Sequence, residues 1–129
     1  MSLPFRISET HAGFGRCEGV VHLEAGKLIF EFQSKVAGIL KSDIKMVEVP
    51  VDELATVTYK GGLFANKGTI QFKSLRHTQA FPKADGNEVT LEVKRRDRDA
   101  AQEFVKEVRM DLLSHSLDDM LEMTDKALG

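Results

Sequence analysis

Between residues 27 and 94, apolar side chains recur at every second position; beyond residue 100 they recur at every third and fourth. A period of two marks a strand with one buried and one wet face, and a period near 3.6 marks a helix with a buried stripe. The first pattern sets Leu28, Phe30 and Phe32 against Ile29, Glu31 and Gln33, and groups Val47, Val49 and Val51. It sets Ala55, Val57 and Tyr59 against Thr56, Thr58 and Lys60, and Ile70 and Phe72 against Thr69, Gln71 and Lys73. Val89, Leu91 and Val93 alternate with Thr90, Glu92 and Lys94. One wet face per strand is the habit of antiparallel sheets, whereas parallel strands buried on both sides read apolar throughout. The second pattern, Ala101, Phe104, Val105, Val108 and Leu112, predicts one helix with a single buried face. The expected fold class is therefore α+β, mainly β: an antiparallel, partly open barrel or sandwich closed by a C-terminal amphipathic helix.

Turn chemistry divides the strands. Glu24-Ala25-Gly26-Lys27 predicts a short hairpin after a strand at about 17–23. Gly61-Gly62 ends one strand, Asn66-Lys67-Gly68 opens another, and Asp85-Gly86-Asn87 precedes the last. At 129 residues the chain fits one domain, with residues 1–16 an N-terminal arm or extra edge strand (Phe5, Ile7) and 114–129 a helical extension. Asp97 or Asp99 suits the helix N-terminus. A break near Ser114-His115-Ser116 would divide the helix from its extension.

The central segment resembles bacterial members of the pleckstrin-homology-like superfamily. The resemblance rests on the apolar-Pro-apolar step Val49-Pro50-Val51, the turn Asp52-Glu53-Leu54 and the resumed alternation Ala55-Thr56-Val57-Thr58-Tyr59. The Gly-rich connection from Gly61 to Gly68 and the strand Thr69-Ile70-Gln71-Phe72 continue it, and the likeness spans roughly residues 19–113. It implies a bent sheet forming a partly open barrel, with the helix plugging one end. Eukaryotic members carry a Trp in that helix; this chain has none, so Phe104 is expected to fill the volume.

Phosphoinositide-binding members gather several cations in the loop between their first two strands, because a multiply charged headgroup needs converging positive charge. The matching loop here, Glu24-Ala25-Gly26-Lys27, holds one cation beside an acid. The densest basic run, Lys94-Arg95-Arg96-Asp97-Arg98, reads as a solvated strand end, without the interleaved aromatics that nucleic acid would stack on. Together with Lys67, residues Arg95, Arg96 and Arg98 form the weaker candidate site, for a lipid headgroup or small ligand at the open barrel end. A net charge of −2 gives no general pull toward nucleic acid, and a membrane surface is not favoured.

His11, His22, His77 and His115 show no metal-binding spacing, and His115 with Asp119 supplies at most two ligands, so no metal is expected. No base, nucleophile or phosphate-cradling glycine loop stands out, and the expectation is a protein that is not an enzyme and carries no cofactor. Cys17 alone cannot form an internal bridge, and it reads as a small buried strand residue. Without an apolar run of membrane-spanning length or a secretory leader after Met1, the expected location is cytoplasmic. The stretch 116–128 carries Leu117, Met120, Leu121 and Leu128 opposite Asp118, Glu122 and Asp125. It either folds back on its own domain or pairs with another subunit or target helix. The first functional expectation is thus a binding or assembly module working through protein contacts or self-association.

Overall fold

The structure, a computed structural model, describes residues 2–8, 15–36, 39–40, 44–61, 67–75 and 87–128. Side chains are described at these positions except 8, 15–16, 35–36, 39–40, 119 and 123–128. The expected loop glycine Gly62, residues Asp85 and Gly86 of the last turn, and His11 and His77 lie outside the described residues.

The strands are β1 (Ser2–Ser8), β2 (Gly15–Glu24), β3 (Lys27–Val36), β4 (Ile39–Leu40), β5 (Lys45–Pro50), β6 (Leu54–Lys60), β7 (Lys67–Ser74) and β8 (Glu88–Lys94). One helix, α1 (Arg98–Leu128), follows. All pairings are antiparallel, in the order β4-β3-β2-β1-β8-β7-β6, with β5 also on β3. The sheet is not closed: β5 and β6 are consecutive in the chain but do not pair, and α1 packs on the sheet. The mainly β, antiparallel, helix-covered class expected from the periodicity is what the chain adopts.

Two corners explain how a single sheet bends round a core. Ala25 and Gly26 both have positive φ (52° and 76°), the two-residue hairpin geometry whose twist matches its flanking strands. Pro50 ends β5, where its missing N–H costs no ladder bond, and a 3-10 turn at Val51–Glu53 redirects the chain into β6. That turn is fastened on both sides: the Val51 N–H donates to the Gly26 carbonyl (2.9 Å), and the Leu75 N–H to the Glu53 carbonyl (2.8 Å). Val49, Val51 and Leu54 enter the core from this corner.

The core joins Leu3, Phe5, Cys17, Val21, Phe30, Ile70, Phe72, Leu91 and Val93 to the inner face of α1, with Phe104 fully buried. Phe30 makes edge-to-face contacts with Phe5 and with Phe72, each at a centroid distance of 6.0 Å. Cys17 is buried, as expected for a small strand residue.

Three expectations need correction. The N-terminal segment is neither a loose arm nor an edge strand: β1 lies between β2 and β8, with Leu3, Phe5 and Ile7 buried. A register shift between Leu54 and Thr56 turns Leu54 inward and Ala55 outward, so Ala55 leaves the face it was grouped with. No break occurs at residues 114–116, and α1 runs unbroken for 31 residues, about 46 Å at ~1.5 Å per residue. His115 pairs with Asp111 (3.3 Å), and the side chain of Asp119, with which it was expected to share a face, lies outside the described residues.

Candidate functional site

The helix is wet on most of its first turns and presents Ala101, Phe104, Val105 and Val108 to the sheet, with Leu112 partly buried beside them. Past that point its apolar residues change sides. Met110, Leu113, Leu117, Met120 and Leu121 are between 51% and 71% exposed. At ~100° per residue, their mean direction lies roughly 160° from that of the four buried positions. The exposed set therefore does not continue the core face; it is a second stripe on the opposite side of the same helix. The spacing from Met110 through Leu113 and Leu117 to Met120 is three, four and three residues, the step that keeps a seam aligned against another helix. Of the four residues expected to meet a partner, Leu117, Met120 and Leu121 are brought together here; the side chain of Leu128 lies outside the described residues.

Beside this stripe lies a groove that period reasoning did not foresee. It runs between residues 55–58 of β6 and Arg109, Leu112, Leu113 and Ser116 of α1, with a volume of about 420 Å³. β6 is an edge strand, and edge strands carry backbone groups that no neighbour satisfies. Arg109 donates its Nε–H to the Val57 carbonyl at 3.0 Å, which caps one of those groups. Leu113 belongs to both the groove and the stripe, so the two are continuous.

The basic candidates are arranged differently. Lys67 stands directly across the β7–β8 ladder from Lys94, a like-charge pairing that is unfavourable by itself. Glu92 relieves it, accepting from Lys67 Nζ at 2.7 Å and lying 3.5 Å from Arg6 Nε. Arg95 and Arg96 sit in the 3-10 turn Arg95–Asp97, and Arg98 opens α1. Only Arg96 of these four lines the hollow of about 380 Å³ on the outer sheet face, together with Arg6, Glu18, Glu92 and Lys94. Gly19 forms part of its wall: a β-carbon there would stand 1.9 Å from the Glu31 carbonyl oxygen, so the strands can approach this closely only without a side chain. Two acids and three cations line the hollow, and of the four expected basic residues Lys67, Arg95 and Arg98 do not reach it.

Two buried polar atoms, Tyr59 Oη and His22 Nδ1, have no hydrogen-bond partner among the described residues. Among those residues no three His, Cys, Asp or Glu side chains gather as a metal-ion cage, and no helix is long and apolar enough to cross a membrane. No protein-family model, curated protein or solved structure matches this chain.

Proposed function

We propose that the chain is a non-catalytic binding or assembly module that acts through protein–protein contacts on the outer face of α1. The observation that carries this reading is the exposed apolar stripe set opposite the core-facing residues of one helix. Single exposed leucines are ordinary on any protein, but a contiguous, aligned set on a face turned away from the domain's own core is the usual mark of an interface. The magnitudes favour a partner that is itself apolar. Burying a Leu or Met side chain completely stabilises by ~1.5–3 kcal/mol, so five already part-covered side chains supply on the order of 5–9 kcal/mol. Association costs ~4–15 kcal/mol, so this stripe laid on a polar surface barely breaks even, whereas a partner bringing a like stripe about doubles the gain.

A pleckstrin-homology-like identity belongs to the same reading. Its support is the run of antiparallel strands followed by one closing helix, the Pro50 corner, and Phe104 standing at the centre of the helix–sheet contact where a Trp was missing. The second reading, a small-ligand or lipid-headgroup site at Lys67, Arg95, Arg96 and Arg98, draws its only support from the hollow beside Arg96. The Glu92 carboxylate already engages Lys67, which weakens it.

The test is selection of peptide binders from a random library against the wild-type chain, counter-screened with Leu117→Asp/Leu121→Asp, alongside light scattering of the wild type over a dilution series. Binders or oligomers that vanish with the double variant are expected. A monomer at all concentrations that yields no variant-sensitive binder would overturn the reading.

A further inference from the structure

We infer that the hollow on the outer sheet face is a binding site for a phosphate monoester, its phosphate held by Lys94 and Arg96 and its body laid across β1 and β2. This site lies on a different surface from the outer stripe of α1 and requires no partner there. It draws on Lys94 and Arg96, and not on Lys67, Arg95 or Arg98.

The first support is charge that the fold leaves uncompensated. Glu92 is shared between Lys67 at 2.7 Å and Arg6 at 3.5 Å, so its carboxylate is already engaged on both sides. Lys94 stands across the ladder from Lys67, and Arg96 lines the same hollow. Both are exposed, and neither forms an ion pair among the described residues. Cations gathered at one end of a concavity repel one another and give the fold no contact in return. A doubly charged phosphate relieves both at once: the guanidinium fork of Arg96 takes two oxygens and the Lys94 ammonium adds a point charge. A carboxylate, with one charge, would neutralise only one of them.

The second support is the shape of the hollow. Gln33, Glu18, Arg6 and Glu92 form a polar row across the sheet, since Glu18 is in register with Gln33 and with Arg6, and Arg6 with Glu92. Val20 and Pro4, in register with each other, form an apolar wall beside that row. Between them Phe5 faces Gly19; Phe5 turns its ring into the core and Gly19 has no side chain, so the floor is backbone. From β3 across β2 and β1 to β8 the span is roughly 14 Å, at ~4.8 Å between neighbouring strands. With a volume of about 380 Å³ the hollow has room for a phosphate and a body the size of a hexose. The Glu18 carboxylate repels a phosphate, which fixes the charged end at Lys94 and Arg96. Glu18 and Gln33 then meet hydroxyls of the body, and Pro4 and Val20 meet its C–H face.

The experiment titrates glucose 6-phosphate into the full chain and follows backbone amide resonances. Co-sedimentation with phosphatidic acid vesicles, against phosphatidylcholine vesicles, distinguishes the free ester from the same group on a lipid surface. Lys94→Ala/Arg96→Ala removes the phosphate ligands and leaves the core untouched. Lys27→Ala/Lys106→Ala removes the same charge outside the hollow, from cations paired with Glu48 and Glu103. The expected result is saturable shifts centred on Phe5, Gly19, Lys94 and Arg96, with a Kd of about 1 mM or tighter. The first variant is expected to weaken binding by about tenfold or more, and the second by less than about twofold. Saturable binding to phosphatidic acid vesicles alone, with the same dependence on the variants, supports the site and assigns its phosphate to a lipid. Equal weakening by both variants, or shifts centred elsewhere, overturns the site in favour of general charge attraction. Absence of saturable binding to either probe overturns it as well, and peptide selection on α1 is unaffected by any of these results.

Discussion

Ala25 sits at φ 52°, at the first central position of the β2–β3 turn, in a left-handed conformation that a β-carbon disfavours. Asn tolerates that region better and, before Gly26, forms the pair most favoured in this turn. Ala25→Asn is therefore expected to raise stability by ~0.5–1 kcal/mol, read as a higher urea midpoint with an unchanged slope. A lower midpoint would mean that the turn geometry is not as described. The presence of this turn was legible in Glu24-Ala25-Gly26-Lys27, but its strain was not, since Ala carries no signal for positive φ. Gly19 was equally silent: nothing in Glu18-Gly19-Val20 announces that the β3 backbone passes within 1.9 Å of where a β-carbon would stand. Arg109 also escaped pattern reasoning. Periodicity assigns a side chain to the wet face, but only the topology puts the Val57 carbonyl of an edge strand within its reach.

At the scale of elements, strand periodicity located β3, β5, β7, β8 and their inward residues, because burial on one face is a strong and local constraint. It failed where an element departs from strict alternation. The irregularity at Leu54 and Thr56 shifts the phase of β6, and a bulge of one residue leaves no mark in a pattern of apolar and polar letters. The central place of β1 was missed for a different reason: which strands flank it depends on pairing across the whole chain, between Arg6 and Glu92 for instance. For the helix, the inner face was read correctly and Phe104 is its largest fully buried side chain. Phe104→Ala is expected to lower stability by ~3–5 kcal/mol, since a large cavity would open between α1 and the sheet. Denaturant unfolding followed by far-ultraviolet circular dichroism measures this; a loss below 1 kcal/mol would contradict the central role of that residue.

At the scale of the whole molecule, α1 carries two apolar faces, one buried and one exposed. Its inner face, from Ala101 to Val108, is part of the core, and its outer face, from Met110 to Leu121, is exposed and is the surface proposed for a partner. The sequence made Leu117, Met120 and Leu121 visible as a stripe, yet left open whether they returned to their own domain, because a break near Ser114 would have allowed it. The unbroken helix sets the direction of the stripe at roughly 160° from the core-facing side, counted at ~100° per residue. The most direct test is the urea-unfolding free energy of Leu117→Asp/Leu121→Asp beside that of the wild type. It is taken at a dilution where light scattering shows both to be monomers, so that lost association does not enter. If the outer face belongs to a partner, the two values agree within ~0.5 kcal/mol, the range of ordinary surface substitutions. A loss of ~2 kcal/mol or more would show that the stripe is buried within its own chain, and would contradict the account.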